Sequence, residues 1–478
     1  MLFNSIEFAF FLPVVFFLCW FTTAGHPQKQ NILLLIASYF FYGWWDWRFL
    51  SLIFITSLID YFVGIGLSWS DDSRKRKLLL TTSIIINLGF LGFFKYFNFF
   101  AESFSEAFTL LGKSIDPKPL NIILPIGISF YTFQSLSYSI DVYKRKYNAT
   151  NNFIAFFTFV SFFPQLVAGP IERATNLLPQ ILNKRKFEYE KGVDGMRQIL
   201  WGLFKKIVIA DNAAIYVNDI FNYHSEYSGS TLLLGAIFFA FQIYCDFSGY
   251  SDIAIGTSRL FGINLMRNFA FPYFSRDIAE FWRRWRISLS SWFRDYVYIP
   301  LGGNEGVLSK KIRNVFAIFL VSAFWHGANW TFIAWGLLNA TYFLPLMLLN
   351  KNRDNTNVVA EGRLLPTFKE ILQMGFTFYL TVIAWILFRA DSVQEAFFIL
   401  KKIFSKSIFL YPEVHPKLMA IFLVILIITE WLQRDKQHAM QMSNKNLPRF
   451  VRWGTYYLLL STIILFGGAQ HEFIYFQF

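Results

Sequence analysis

The sequence predicts an all-α polytopic membrane protein of about eleven membrane segments, re-entrant and interfacial helices included, at roughly 20 apolar residues per full span. Three observations carry that expectation. The 478 residues are 55% hydrophobic and only 16% charged, where a soluble chain carries about 25% charged residues. The apolar residues form long continuous blocks, not the alternating strands of a membrane β-barrel. The short loops between blocks are rich in Lys and Arg, the bias of cytoplasmic loops, and the mean hydropathy is +0.40.

The net charge of +13 would raise nucleic acid as a partner in a soluble protein. Here the basic residues sit in loops beside apolar runs, so membrane lipid is the expected partner and nucleic acid is not. Trp and Tyr gather near run ends, as in Phe41–Trp47 (FYGWWDW), which suits the headgroup level. Two cysteines, Cys19 and Cys245, do not make a disulfide framework or a Cys metal site. The run Phe8–Thr22 has no basic stretch before it and no A-x-A pattern after it, so a retained first span is expected. Nothing marks a second soluble domain, and residues 1–478 are expected to form one membrane-embedded domain.

In chain order, Ser5–Thr23, Asn31–Trp45, Leu50–Trp69 and Leu78–Phe100 read as four spans, with the basic loop Asp71–Lys77 placed inside. Ala101–Pro119 is polar and is placed outside. Asn121–Tyr143 reads as a fifth span ending at the basic cluster Lys144–Lys146. Phe153–Ala168 is apolar but interrupted by Pro164, and the basic Lys184–Lys186 follows on the same side. A re-entrant segment next to a cavity is therefore expected, since irregular backbone at membrane depth needs protein or water around it. Gly192–Ala213 shows helical spacing of apolar residues around Arg197, Lys205 and Lys206; it reads as an interfacial helix or a tilted span. Leu232–Tyr244 is apolar and runs into Cys245–Asp252. Phe269–Gly303 interleaves Arg276, Arg283, Arg284, Arg286 and Arg294 with Trp282, Trp285 and Trp292. Short interfacial helices, with Arg snorkelling to phosphates, are expected there. Asn314–Leu349 is too long for one span and reads as two segments meeting near His326–Trp330, or one broken helix. Asn350–Phe368 is a polar loop. Leu372–Phe388, Met419–Leu432 and Tyr456–Phe466 read as late spans, Arg389–Lys406 as an amphipathic interfacial stretch, and Arg434–Arg452 as a basic inside loop. The tail Glu472–Phe478 is placed outside.

The chemistry gathers around Ser322–Asn339 (SAFWHGANWTFIAWGLLN). It carries one histidine, His326, and the enclosing run Val315–Leu349 has no Lys, Arg, Asp or Glu. An ionisable side chain in such a run is a site hypothesis by default. An imidazole that stays neutral there has a ring nitrogen free to accept a proton, as a general base must. A structural histidine donating to a neighbouring helix explains the residue equally well. The polar neighbours Asn329 and the cluster Asp246, Ser248, Tyr250 and Asp252 could converge with it on a cavity. The cluster also reads as a helix-breaking turn whose carboxylates cap helix N-termini and balance Arg. Arg283, Arg284 and Arg286 read as part of a collar for a phosphorylated ligand, or simply as interfacial arginines. No H-E-x-x-H, G-x-S-x-G or P-loop motif occurs, so metal, acyl-serine and nucleotide chemistry lack support. These patterns alone leave open an enzyme, a transporter or flippase whose path His326, Asp246 and Asp252 would line, and a non-catalytic scaffold.

Three long motifs narrow this. YCDFSGYSDIAIG (Tyr244–Gly256), FWRRWRISLSSWFRDYVYIPLGG (Phe281–Gly303) and FWHGANWTFIAWG (Phe324–Gly336) resemble the membrane-bound O-acyltransferase family. The likeness is to its bacterial branch: the alginate O-acetylation subunit and its peptidoglycan and teichoic-acid relatives. FFPQLVAGPIER (Phe162–Arg173) and the terminal FIYFQF are similar too. The resemblance implies a multi-pass enzyme of the bacterial cytoplasmic membrane whose helices surround a funnel. It implies no bound cofactor, with acetyl-CoA or another acyl thioester as donor and a hydroxyl as acceptor. It places the family's essential histidine on His326. It also implies an extracytoplasmic SGNH-type partner that passes the acyl group to a polysaccharide. One departure stands out: where the family usually reads W-H-I-S-L-S, this chain has Arg286. Arginine cannot serve as a base, although it can orient a donor or stabilise an oxyanion. Either the second histidine is dispensable, or the donor is altered or activity lost; the first is the reading adopted.

Overall fold

The computed structural model describes residues 1–110, 120, 122–441, 448–468 and 473–474. Residues 111–119 of the Ala101–Pro119 loop and all of the Glu472–Phe478 tail except 473 and 474 lie outside the described residues. The described chain is helical throughout its regular elements and divides into two compact units, residues 1–192 with 257–265, and residues 193–256 with 266–478. Among the described residues five stretches are long and apolar enough to cross a membrane: Pro27–Trp69, Ser73–Thr109, Gly229–Leu260, Trp330–Leu348 and Phe368–Arg389. The expected count of about eleven also drew on shorter apolar elements, at less than the roughly 20 residues of a full span.

The first unit contains α1 (Ile6–Phe17), α2 (Pro27–Asp46), α3 (Leu50–Trp69), α4 (Ser73–Leu91), α5 (Phe97–Leu110), α6 (Ile128–Tyr143), α7 (Phe153–Ser161), α8 (Phe163–Leu166) and α9 (Ala174–Leu182). The chain breaks after α2 because Asp46 is extended and its carboxylate accepts from the Arg48 N–H. The helix expected to stop at Phe100 instead runs through α5, and Phe104 and Phe108, one turn apart, pack at 4.5 Å. The expected fifth span begins later than Asn121: Gly127, at φ +77°, directly precedes α6, a conformation glycine adopts without strain. The interrupted segment appears as expected. Phe162 breaks it, and α7 and α8 are buried along almost their whole length, so protein surrounds the irregular backbone.

One polar knot ties α3, α4 and α6. Asp60, fully buried on α3, accepts hydrogen bonds from Ser83, from Asn87 Nδ2 at 2.8 Å, from Ser135, and from Ser139 at 2.9 Å. In lipid, apolar burial does not drive helices together, so hydrogen bonds of this kind do part of that task.

The second unit, with α10 beginning just before its boundary and α12 ending four residues past it, carries α10 (Tyr189–Leu203), α11 (Asp211–Asn222), α12 (Gly229–Leu260), α13 (Ile278–Arg284), α14 (Ile287–Phe293), α15 (Leu308–His326), α16 (Trp330–Leu348), α17 (Phe368–Arg389), α18 (Val393–Ile403), α19 (Lys417–Leu432) and α20 (Arg449–Phe466). A π-helical turn, Phe204–Ala210, joins α10 to α11. Gly202 of α10 and Gly249 of α12 meet so closely that a Cβ on Gly249 would stand 2.8 Å from the Gly202 carbonyl oxygen. Small residues permit this backbone approach.

One expectation is corrected here. Cys245–Asp252 is not a helix-breaking turn: α12 continues through it for 32 residues, because Gly249 serves close packing and not chain reversal. Gly192–Ala213 keeps its helical spacing, but its two lysines do not face outward. Lys205 and Lys206 are buried, and they point at the α12 carboxylates. Trp285 and Arg286, in the segment expected to form short interfacial helices with Arg snorkelling to phosphates, are also buried. The long apolar run resolves as anticipated into two helices, α15 and α16, separated at Gly327–Asn329.

Candidate functional site

His326 is the last residue of α15, and Gly327 is extended (φ −164°). Asn329 then caps α16, its side-chain oxygen accepting from the Thr331 N–H at 3.0 Å, a preferred N-cap arrangement. The turn holds the imidazole at the end of two packed helices. Around it stand Trp325, Trp335 and Phe388, with ring centroids 5.0, 5.2 and 5.6 Å away. His326 is 4% exposed.

Both ring nitrogens have partners. Nδ1 lies 2.6 Å from the Ser322 carbonyl oxygen, one turn earlier. A carbonyl only accepts, so Nδ1 carries the hydrogen and donates it. Nε2 then offers a lone pair, and Arg286 Nη1 donates to it at 3.3 Å. The residue that departs from the family pattern therefore sits directly on the candidate base.

Arg286 precedes α14 with a left-handed backbone, φ +42°, a conformation that costs a non-glycine residue about 1 kcal/mol or more. Its surroundings impose it. The Ile287 N–H donates to the Asn268 carbonyl at 2.8 Å and the Ala270 N–H to the Arg284 carbonyl at 2.9 Å. The Asn268 side chain accepts from the Ser288 hydroxyl at 2.9 Å and donates to Ser251 Oγ on α12 at 3.0 Å. The guanidinium lies 4.3 Å from the Phe247 ring centroid and 5.0 Å from that of Trp325, favourable cation–π distances.

The other expected residues are placed as follows. Arg283 donates to the carbonyls of Asn352 and Asn355 at 2.7 and 2.8 Å. Arg284 pairs with Glu280 at 2.8 Å and donates to Asn357. Both pin the polar loop after α16. Asp246 pairs with Lys206 at 2.7 Å and accepts from the Ile474 N–H at 2.7 Å. Asp252 pairs with Lys205 at 2.6 Å and accepts from Gln198 at 2.7 Å; Ser248 accepts from Lys205 at 2.9 Å. Tyr250 packs on Phe473, centroids 5.5 Å apart. Asn329, besides its cap, donates to the Asp391 carbonyl at 3.0 Å. The structure thus brings Arg286 to His326, commits Arg283 and Arg284 to a loop, and locks Asp246 and Asp252 into ion pairs. Phe247, between those carboxylates in sequence, is what reaches the Arg286 side of the site.

Sequence reasoning did not assign the partners of those carboxylates. Lys205 and Lys206 lie in the π-helical turn, a distortion frequent at functional sites, and Lys206 also pairs with Asp211 at 2.8 Å. Glu430 on α19 was missed altogether: it is buried and accepts from the Tyr244 hydroxyl at 2.8 Å. The available signal was a pair of lysines and a lone glutamate inside otherwise apolar helices. Among the described residues no three His, Cys, Asp or Glu side chains gather as metal ligands.

A cavity of about 430 Å³ opens beside the α15–α16 turn, walled by Ala328, Asn329, Thr331, Phe332 and Phe388–Asp391. Phe388 faces it with one side and His326 with the other. Asn329, Thr331, Arg389 and Asp391 give the wall its polar residues.

Residues 32–388 match the membrane-bound O-acyltransferase family. The chain is 41% identical over 408 residues to the probable alginate O-acetylase AlgI of Pseudomonas aeruginosa, covering 85% of this chain and 75% of that protein. It is 32% identical to the peptidoglycan O-acetyltransferase of Helicobacter pylori, covering 100% of this chain and 98% of that protein. A teichoic acid D-alanyltransferase of Streptococcus thermophilus is 27% identical, over 61% of this chain and 75% of that protein.

Proposed function

The chain belongs to the membrane-bound O-acyltransferase family and is a membrane acyltransferase; from that premise we propose that it moves acetyl from a cytoplasmic thioester, acetyl-CoA or another acyl carrier, toward a hydroxyl of a cell-surface polysaccharide. The transfer is direct or passes through an extracytoplasmic SGNH-type partner. The chain would sit as a multi-pass protein in the bacterial cytoplasmic membrane, with shorter helices adding to the five long ones to make about eleven segments at the depth a bilayer sets. His326 acts as general base. As the acceptor oxygen attacks the thioester carbonyl carbon, Nε2 takes the hydroxyl proton. The C–S bond then breaks and the thiolate leaves with that proton, regenerating the imidazole. The cavity behind Phe388 is the proposed acceptor side.

The observation that supports this reading is the hydrogen bond from Nδ1 to the Ser322 carbonyl, which turns the lone pair of a buried imidazole toward Nε2. The test is O-acetylation of surface polysaccharide in a deletion strain complemented with wild type or His326→Ala. A positioned base contributes about 10²–10⁴ in rate, so the variant should lose acetylation by that order at normal protein level. Wild-type acetylation by a well-expressed His326→Ala protein would reject the base and favour a scaffold or a transporter.

A further inference from the structure

We infer that Arg286 is a positioning residue for His326, fixing the imidazole in the single tautomer that leaves Nε2 unprotonated. This rests on the reading of His326 as the base. The argument is one of donor and acceptor inventory. Arginine has five N–H donors and no acceptor. Facing a ring nitrogen it can only donate, so Nε2 must be the acceptor. On the other side, the Ser322 carbonyl has no donor, so Nδ1 must carry the hydrogen. Two partners, each able to act in one direction only, select the same tautomer from opposite edges of the ring. Moving the hydrogen to Nε2 would break both contacts at once and set two N–H groups against each other.

A histidine at position 286, as the family pattern has it, would offer one donor and one acceptor, and so could accommodate either tautomer of its neighbour. The guanidinium here is also held in place independently of His326. Its backbone is clamped by Asn268, its charge lies against the Phe247 and Trp325 rings, and it is 3% exposed. Arg286 thus supplies in this chain a fixed orientation for the base. An incoming hydroxyl that replaces Nη1 at Nε2 meets a lone pair already directed at it.

The test uses the full-length protein, wild type, Arg286→Met, Arg286→Lys and His326→Gln, with acetyl-CoA as the donor probe. Histidine ¹⁵N shifts, assigned by the signal lost in His326→Gln, report the tautomer. The wild type should show Nδ1–H with Nε2 unprotonated. Arg286→Met should move signal toward Nε2–H and lower kcat about tenfold or more, the worth of one charge-assisted hydrogen bond, while KM for acetyl-CoA changes less than threefold. Arg286→Lys, which restores a donor-only side chain, should recover the tautomer and part of kcat. A wild-type ring protonated at Nε2, or a tautomer indifferent to Arg286→Met, overturns the inference. A raised KM with an unchanged tautomer does the same, and assigns Arg286 to the donor instead. If Arg286→Met does not fold, the wild-type tautomer and Arg286→Lys still decide. Full activity of His326→Gln would reject the base assignment and leave the tautomer result standing.

Discussion

Replacing Lys206 by Met should be among the most damaging single changes in the second unit. Its ammonium lies 2.8 Å from Asp211 and 2.7 Å from Asp246, and all three side chains are under 10% exposed. The variant keeps the volume but strands two carboxylates away from water. Breaking one buried pair by removing a partner costs about 3–5 kcal/mol, against a total domain stability of about 5–15 kcal/mol. Domains of 150–250 residues lose about 2–4 °C per kcal/mol; at the low end of that range, for this somewhat larger unit, the melting temperature should fall by about 6 °C. The assay is thermal unfolding of detergent-solubilised protein followed by size-exclusion fluorescence. Lys191→Met is the control, because Lys191 forms an exposed pair with Glu188, and such pairs contribute about 0–1 kcal/mol. Adding Asp211→Asn and Asp246→Asn to Lys206→Met should recover most of the loss, since the penalty is uncompensated charge and not lost packing. Acyl transfer should fall with stability, because Asp246 precedes Phe247, on which the Arg286 guanidinium rests. A Lys206→Met protein that melts like Lys191→Met would refute the view that this ion cluster holds α12 to the π-helical turn.

Two further outcomes are expected. Asp60→Ala leaves four buried donors on α4 and α6 without their acceptor; at about 1–3 kcal/mol per stranded group, the first unit should lose at least about 3 kcal/mol, read as a lowered melting temperature and faster proteolysis within residues 1–192. Glu413 should give a pH signature: burial pushes its carboxyl up, but hydrogen bonds from Thr231 and Ser228 outweigh that and hold it below the ordinary glutamate range. A depressed carboxylate stabilises above its unfolded pKa and loses that contribution as pH falls through its folded pKa, so the acid-side drop in melting temperature should be smaller in Glu413→Gln than in wild type, and equal slopes would reject the role.

Much of this molecule was legible as text. Long uncharged runs fix a helical membrane protein because unpaired backbone in lipid is too costly for other open structures. The break between α15 and α16 could be read from Gly327 and Asn329, and His326 stood out because nothing ionisable surrounds it in sequence. The reading of Cys245–Asp252 as a turn failed for a specific reason. Gly and Asp signal chain reversal in water, whereas in this bundle Gly249 admits a neighbouring backbone and Asp246 and Asp252 meet lysines from another helix.

The sequence by itself determined the helical class, the candidate base and its family-like setting, since these follow from hydrophobic runs and local motifs. Only the tertiary structure decided which charges meet. Lys205 and Lys206 reach Asp252 and Asp246 across about 40 or more residues, and Arg286 reaches His326 over a separation of 40. Such pairings depend on helix rotation and on clamps such as Asn268, and neither leaves a periodic trace in the chain. The direction of the imidazole lone pair was likewise undecided until a carbonyl that can only accept and a guanidinium that can only donate were placed on opposite edges of the ring.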